Sequence, residues 1–247
     1  MKSGAVAFLD ILGFKGIWRV KPEEEVLNLV MGVAEVVTRG YKHPPPEKRW
    51  PECSLPQVTT LSDTIVITMD SLDRSCVLLL ANTLYGVMMH FQKHELFVRG
   101  AIGWGNYAQM GNTFLGPAID DVAAWHEQAN WIGVVSTPTT NYIIDRFSPF
   151  AMDINGFSVD QFVKYDVPGN GGATYRLNSF NWPGYLQASY KEMPVQGKST
   201  ARAAMEALFM NQHALDASVL KKYENTLRFV DYAVGFMRPV ERKAHPA

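Results

Sequence analysis

The sequence predicts an α+β fold with a ferredoxin-like βαββαβ core and added C-terminal helices. Three observations carry that expectation. Residues 5–12, AVAFLDIL, form an apolar strand-like run; QVTT and TIVITM are β-rich and joined by the tight turn signal Leu61-Ser62-Asp63; and a helical pattern lies on either side of this hairpin. Strand, helix, hairpin, helix and strand in that order make the split βαβ arrangement.

Each element has a local reason. Val6, Phe8 and their neighbours suit a buried strand. Val26, Val30, Val33 and Val37 recur at helical spacing after Pro22 and three glutamates, and this helix is expected to end near Arg39-Gly40. Tyr41 to Pro56 carries five prolines and reads as an irregular loop. Asp70 and Ser71 are placed to cap a long apolar helix from about Leu72 to Lys93. LFVRGAIGWGNYAQM then reads as a strand, GPAIDDVAAWHEQA as a helix, WIGVVS as a strand and TPTTNYIIDRF as a short helix. Further strands with a GNGG turn follow from about residue 155, then helices near 198–212 and 215–237. A single domain over 1–247 is expected, with a core to about residue 185 and a helical elaboration over about 186–247.

Composition narrows the function class. The chain of 247 residues is 47% hydrophobic and 19% charged, ordinary for a globular protein. A formal net charge of −1 supplies no field to recruit nucleic acid or an acidic membrane, so an anionic ligand needs a local site. Two cysteines, Cys53 and Cys76, suggest neither a disulfide framework nor a zinc site. MKSGAVAF lacks a signal peptide's apolar core, and the run from Ser75 to Phe91 is short of the about 20 residues that span a bilayer. A cytoplasmic protein is the expectation.

Asp10 is the anomaly in this pattern, because a carboxylate within an apolar strand is costly to desolvate without a partner. Taken alone it also reads as a cap for the segment after Gly13, and Ser62-Asp63 as ordinary hairpin chemistry. The βαββ order, however, sets the first strand beside the hairpin, so that Asp10 and Asp63 meet at one end of the sheet. Converging carboxylates repel unless protonated or bridged by cations, and Mg²⁺ or Mn²⁺ with phosphate oxygens satisfies both. The backbone N–H groups from Ile11 to Lys15, at the turn opened by Gly13, suit a phosphate. Two-metal phosphoryl or nucleotidyl transfer is the chemistry this suggests.

AFLDILGF resembles the first metal-binding motif of class III nucleotidyl cyclases. TTLSDTIVI resembles their hairpin motif, with Ser62 in place of a glycine; VRGAIGWG resembles the strand that follows, and FLGPAIDDVAAWHE falls where the family carries Trp-Gly-Asp-x-Val-Asn-x-Ala-Ser-Arg. The match runs over about residues 5–136. YDVP (165–168) and YRLNSFNW resemble a bacterial subgroup, the pyrimidine cyclases of the Pycsar antiphage system.

The resemblance implies cyclisation of a nucleoside triphosphate with two divalent cations, Mg²⁺ or Mn²⁺, held by Asp10, Ile11 and Asp63. It implies a homodimer with active sites at the interface and a product read by a separate effector, while the charge balance leads us to expect no membrane or nucleic-acid partner. In purine cyclases a lysine or glutamate four residues before the hairpin aspartate selects the base; this chain has Thr59 there and Thr113 at the second selector. Neither threonine carries the charge used on a purine edge, which argues against the usual adenylate or guanylate cyclase, and the subgroup resemblance implies UTP or CTP as substrate, UTP preferred. The ribose-positioning Asn corresponds to Asp120 and the transition-state Arg to Ala124. One preorganised donor to developing charge is worth about 3–4 kcal/mol, so another cation must act or the chain is inactive. Arg99 is the first choice among Lys15, Arg99, Lys164 and Arg176, with Lys15 and Phe14 placed for the phosphates. Trp50 and Tyr41 can stack on a base or anchor their loop. His90 and His94 lack an acidic third ligand, and His126-Glu127 reads as surface or interface. Rival readings are a purine cyclase with unusual selectors and a degenerate domain that binds a nucleotide or only dimerises.

Overall fold

A computed structural model describes residues 1–42, 52–147, 150–190, 200–210 and 217–240. Its elements run in the order β1 (Lys2–Leu12), a 3₁₀ turn (Phe14–Arg19), α1 (Glu23–Lys42), β2 (Gln57–Leu61), β3 (Thr64–Asp70), α2 (Cys76–Gln92), β4 (Phe97–Met110) and β5 (Thr113–Leu115). These are followed by α3 (Pro117–Trp125), β6 (Val134–Ser136), α4 (Pro138–Phe147), β7 (Ala151–Ile154), β8 (Phe157–Asp160) and β9 (Phe162–Pro168). Last come β10 (Thr174–Phe180), α5 (Trp182–Ser189), α6 (Thr200–Met210), α7 (Ala217–Val234) and β11 (Arg238–Pro239).

The main sheet has the order β2-β3-β1-β4-β6-β10-β9, with β5 folded back on β4. Its first four strands are antiparallel throughout and have the ferredoxin-like order, as the split βαβ pattern predicts. β6 then joins β4 in parallel, and β10 and β9 extend the sheet. A second sheet, β11-β8-β7, was not legible in the sequence.

Side-chain alternation along β1 sorts the two faces. Ala5, Ala7, Leu9 and Ile11 are fully buried on the face that α2 covers, with α1 packed beside α2. Phe8 and Asp10 lie on the opposite face, which α3 reaches: a Cβ on Gly103 would meet Val122 and one on Gly105 would meet Ala118. α2 is buried nearly all round, consistent with its unbroken apolar sequence.

Several boundaries differ from expectation for local reasons. α1 continues to Lys42 and takes in Tyr41, whose hydroxyl donates to the Cys53 carbonyl at 3.2 Å. α2 begins at Cys76 rather than Leu72, because Asp73 accepts from the Ser75 amide and hydroxyl at 2.9 and 2.8 Å and holds a turn there. Asp70 is no cap: it closes β3, accepts from the Tyr107 hydroxyl and pairs with Lys2 at 2.8 Å. α5 went unforeseen, although Asn181 caps it by accepting from Gly184 N at 2.9 Å and Pro183 stands in its first turn.

The C-terminal helices are built into the same core. α5 straddles residue 185, and Phe229 of α7 packs 4.3 Å from the Trp131 ring and 5.0 Å from Tyr165. Thr226 accepts from the Ile132 amide at 2.9 Å, and Asn225 donates to the Asn130 carbonyl at 2.8 Å. α7 thereby fixes the segment that links α3 to β6. No helix among the described residues is long and apolar enough to cross a membrane.

Close strand approach constrains Gly100, where a Cβ would lie 2.2 Å from the Phe8 carbonyl oxygen and 2.7 Å from Leu9 Cδ2. Gly100→Ala is therefore expected to destabilise the fold by about 1–3 kcal/mol, as overpacking does. Thermal or urea denaturation against the wild-type chain measures this.

Candidate active site

The site is built from the carboxyl end of β1 and what its register sets beside it. Asp10 pairs across the sheet with Thr64 of β3 on one side and Arg99 of β4 on the other. Directly paired residues share a face, so the two side chains meet. Arg99 donates to Asp10 Oδ2 from Nε at 3.0 Å, and its Nη2 lies 2.9 Å from the same oxygen. Each side chain is only 13% exposed, so the guanidinium compensates a largely desolvated carboxylate. The Arg99 Nη2 also lies 3.6 Å from Glu127 Oε1, the Glu127 side chain being 62% exposed.

The hairpin brings the second acid alongside. Asp63 accepts from the Ile11 amide through its main-chain carbonyl at 2.9 Å, which sets it next to Asp10 in the neighbouring strand. Ser62, the first residue of the two-residue turn, sits at φ 56°, a conformation in which glycine is unstrained. After β1, Gly13 at φ 84° turns the chain into the 3₁₀ segment. Phe14 is buried and meets Trp18 edge-on at 5.9 Å, so Phe14 has its main chain rather than its ring to offer a ligand.

On the same face, Phe8 pairs with Val66, and Val66 with Thr59 of β2. The His126 ring meets Phe8 edge-on at 6.1 Å and its Nδ1 lies 2.7 Å from the Ala123 carbonyl oxygen. Glu127 and His126 are thus part of the site's surroundings. Their motif position directly after the α3 segment was visible in the sequence, but their approach to β1 was not.

The donor set suits a hard cation and a phosphate. Both Arg99 contacts fall on Oδ2 of Asp10, while Oδ1 and the Asp63 carboxylate have no partner among the described residues. These oxygens, with the Ile11 main chain between them, fit a divalent ion that brings phosphate ligands of its own. Among the described residues there is no group of three or more His, Cys, Asp or Glu that would hold a metal unaided.

Other residues singled out in the sequence lie elsewhere. Thr113 is exposed at the tip of the β4–β5 hairpin, opposite Met110. Eleven residues of strand separate Met110 from Arg99, about 36 Å at the usual rise. Asp120 and Ala124 are exposed on α3. Lys164 binds Asp145 at 2.8 Å and Asn141 at 3.0 Å, and Arg176 pairs with Asp166 at 3.1 Å. Both lie on β9 or β10, separated from β1 by β4 and β6, so neither is brought to Asp10. The His90 and His94 rings are 5.5 Å apart, but His90 is bound to the Leu29 carbonyl at 2.8 Å, and burial and the neighbouring His90 lower the basicity of His94. Trp50 and the side chain of Lys15 lie outside the described residues.

No protein-family model and no curated protein matches the chain. Among solved structures, an adenylate/guanylate cyclase/hydrolase from Silicibacter pomeroyi overlaps 72% of this chain and 96% of its own at 16% identity, with a TM-score of 0.43. A bacterial light-regulated adenylyl cyclase overlaps 95% of this chain and 57% of its own at 13% identity, also with a TM-score of 0.43. Likeness at this level carries no functional weight, and the chemistry must be read from the residues.

The Asp10–Arg99 pair makes a direct prediction. Asp10→Asn and Arg99→Gln should each destabilise the chain, and the double variant should lose less than their sum, with a coupling of about 1–2 kcal/mol. Urea denaturation of the four proteins in a double-mutant cycle measures it.

Proposed function

We propose that the chain is a nucleotidyl cyclase of the class III type acting on a pyrimidine nucleoside triphosphate, UTP ahead of CTP. The products are 3′,5′-cyclic UMP and pyrophosphate. The observation that carries this reading is the meeting of Asp10 and the Asp63 turn at one end of a ferredoxin-like sheet, beside a left-handed glycine turn. Thr59 and Thr113 support a pyrimidine over a purine, since neither brings a charge. The role in antiphage defence, with a separate effector reading the product, rests on the resemblance of YDVP and YRLNSFNW to the Pycsar cyclases.

In the reaction the ribose 3′-hydroxyl attacks the α-phosphorus, the bond to pyrophosphate breaks, and one proton is released. Asp10, Asp63 and the Ile11 main chain would hold the divalent cations. Such cations, when bound, neutralise the triphosphate and acidify the attacking hydroxyl. The turn after Gly13 offers main-chain amides to the phosphates, with Lys15 following in sequence. Arg99 contacts Asp10 and would shift from it toward the phosphates if a cation took its place. Glu127 is positioned to receive the freed guanidinium.

The placement of the selectors supports a homodimer. A substrate at Asp10 cannot also reach Thr113 of its own chain, some 36 Å along β4, so Thr113 and Asp120 would serve a second copy's site. A second reading has its own observation: the ion pair of Asp10 with Arg99, together with Ala124 in place of an arginine, suits a degenerate domain that binds a nucleotide without turnover.

Incubation of the purified chain with ATP, GTP, CTP or UTP and Mn²⁺, with products identified by mass spectrometry, tests the proposal. Cyclic UMP is expected, with activity falling about 100-fold or more in Asp10→Asn and Asp63→Asn. A cyclic purine product alone would refute the substrate assignment, and no product from any triphosphate would favour the binding domain.

A further inference from the structure

A cleft lies farther along β4, beside Trp104 and Gly105. β6 pairs with β4 only through residues 100–102 and β5 only through residues 108–110, so residues 103–107 of β4 pair with neither. Thr140 of α4 takes up part of the edge, its hydroxyl accepting from the Trp104 amide at 2.8 Å. Past it, α3 and α4 face each other across a cleft of about 630 Å³, within the usual size of a small-molecule site. Trp104 is five residues from Arg99 along β4, about 17 Å from the Asp10 pair.

The lining has a definite chemistry. Arg74 and Arg146 both border the cleft, and neither forms an ion pair among the described residues. Arg74 lies over the Trp104 ring, 5.2 Å from its centroid, a geometry that holds the guanidinium at the rim. Tyr142, 72% exposed, adds a second aromatic surface from α4. Asp121 of α3 adds an acceptor on the opposite wall. Two unpaired guanidiniums suit a phosphate, the rings suit a flat heterocycle, and the carboxylate suits a hydroxyl or N–H donor carried between them.

We propose that this cleft binds a small aromatic phosphate of the nucleoside monophosphate class, at a site separate from the Asp10 centre. The phosphate lies between Arg74 and Arg146, the ring against Tyr142 and Trp104, and a donor of the ligand on Asp121. The assignment does not depend on the cyclase reading, since none of its residues belongs to that site.

Isothermal titration with uridine 5′-monophosphate, phenyl phosphate and inorganic phosphate tests it, using the wild-type chain, Arg146→Gln, Tyr142→Ala and Asp10→Asn. Arg146 and Tyr142 are exposed, so both substitutions leave the core intact, which circular dichroism verifies. Uridine monophosphate and phenyl phosphate are expected to bind with a Kd at or below about 1 mM, and inorganic phosphate far more weakly. Arg146→Gln should weaken both aromatic ligands about tenfold and Tyr142→Ala several-fold, with Asp10→Asn unchanged. Failure to bind, equal binding of inorganic phosphate, indifference to Arg146→Gln, or loss in Asp10→Asn would each overturn the proposal.

Discussion

The site depends on the register of β1 between β3 and β4. Among the described residues β1 alone lies between the hairpin on one side and the Arg99 strand on the other, so its alignment decides which side chains meet. Because side chains alternate, a slip of one residue would turn Asp10 onto the face packed by α2 and bring Ile11 out in its place. The buried series Ala5, Ala7, Leu9 and Ile11 makes that slip prohibitive. Gly100 lets the neighbouring strand approach closely enough to hold the alignment. The apolar packing of one face thus fixes the polar chemistry of the other.

Electrostatics on the open face follow from that alignment. Asp10 is too desolvated to stand without a positive partner, and Arg99 supplies one. On the proposed reading a divalent cation would compete for the same carboxylate, and whichever positive group held Asp10, the other would need a new contact. Glu127 stands 3.6 Å from the guanidinium on the solvent side. Its main chain is held by Asn170, whose Nδ2 donates to the Glu127 carbonyl at 2.8 Å, while Asn225 and Thr226 of α7 tie down residues 130 and 132 just beyond. The C-terminal helix α7, distant in sequence from Asp10, thus holds the segment that follows Glu127.

Much of this was legible in the residues. The βαββαβ order, the hairpin at Ser62-Asp63 and the approach of Asp63 to the first strand all follow from local patterns whose ranges are short. What escaped depends on distance in the chain. The Asp10–Arg99 contact requires the β1–β4 register, which apolar patterning leaves undetermined, and Arg99 stood out only as a spare cation near a motif. His126-Glu127 read as surface or interface, and Glu127 is exposed, but the packing of His126 on Phe8, more than a hundred residues away in the chain, left no local signal. Lys164 and Arg176 looked available until their strands proved to be separated from β1 by β4 and β6 and their charges matched by Asp145 and Asp166. α5 carried a readable Asn-Trp-Pro start, but β7 and β11 are too short to leave a periodic signal.

The central claim is that Asp10 and Asp63 form one divalent-cation site for which Arg99 competes. Titration with Mn²⁺, followed by loss of the free-ion electron paramagnetic resonance signal, measures it in the wild-type chain and in Asp10→Asn, Asp63→Asn and Arg99→Gln. Either aspartate substitution should weaken binding about tenfold or more, and Arg99→Gln should tighten it. Equal binding by the wild-type chain and both aspartate variants would contradict the account.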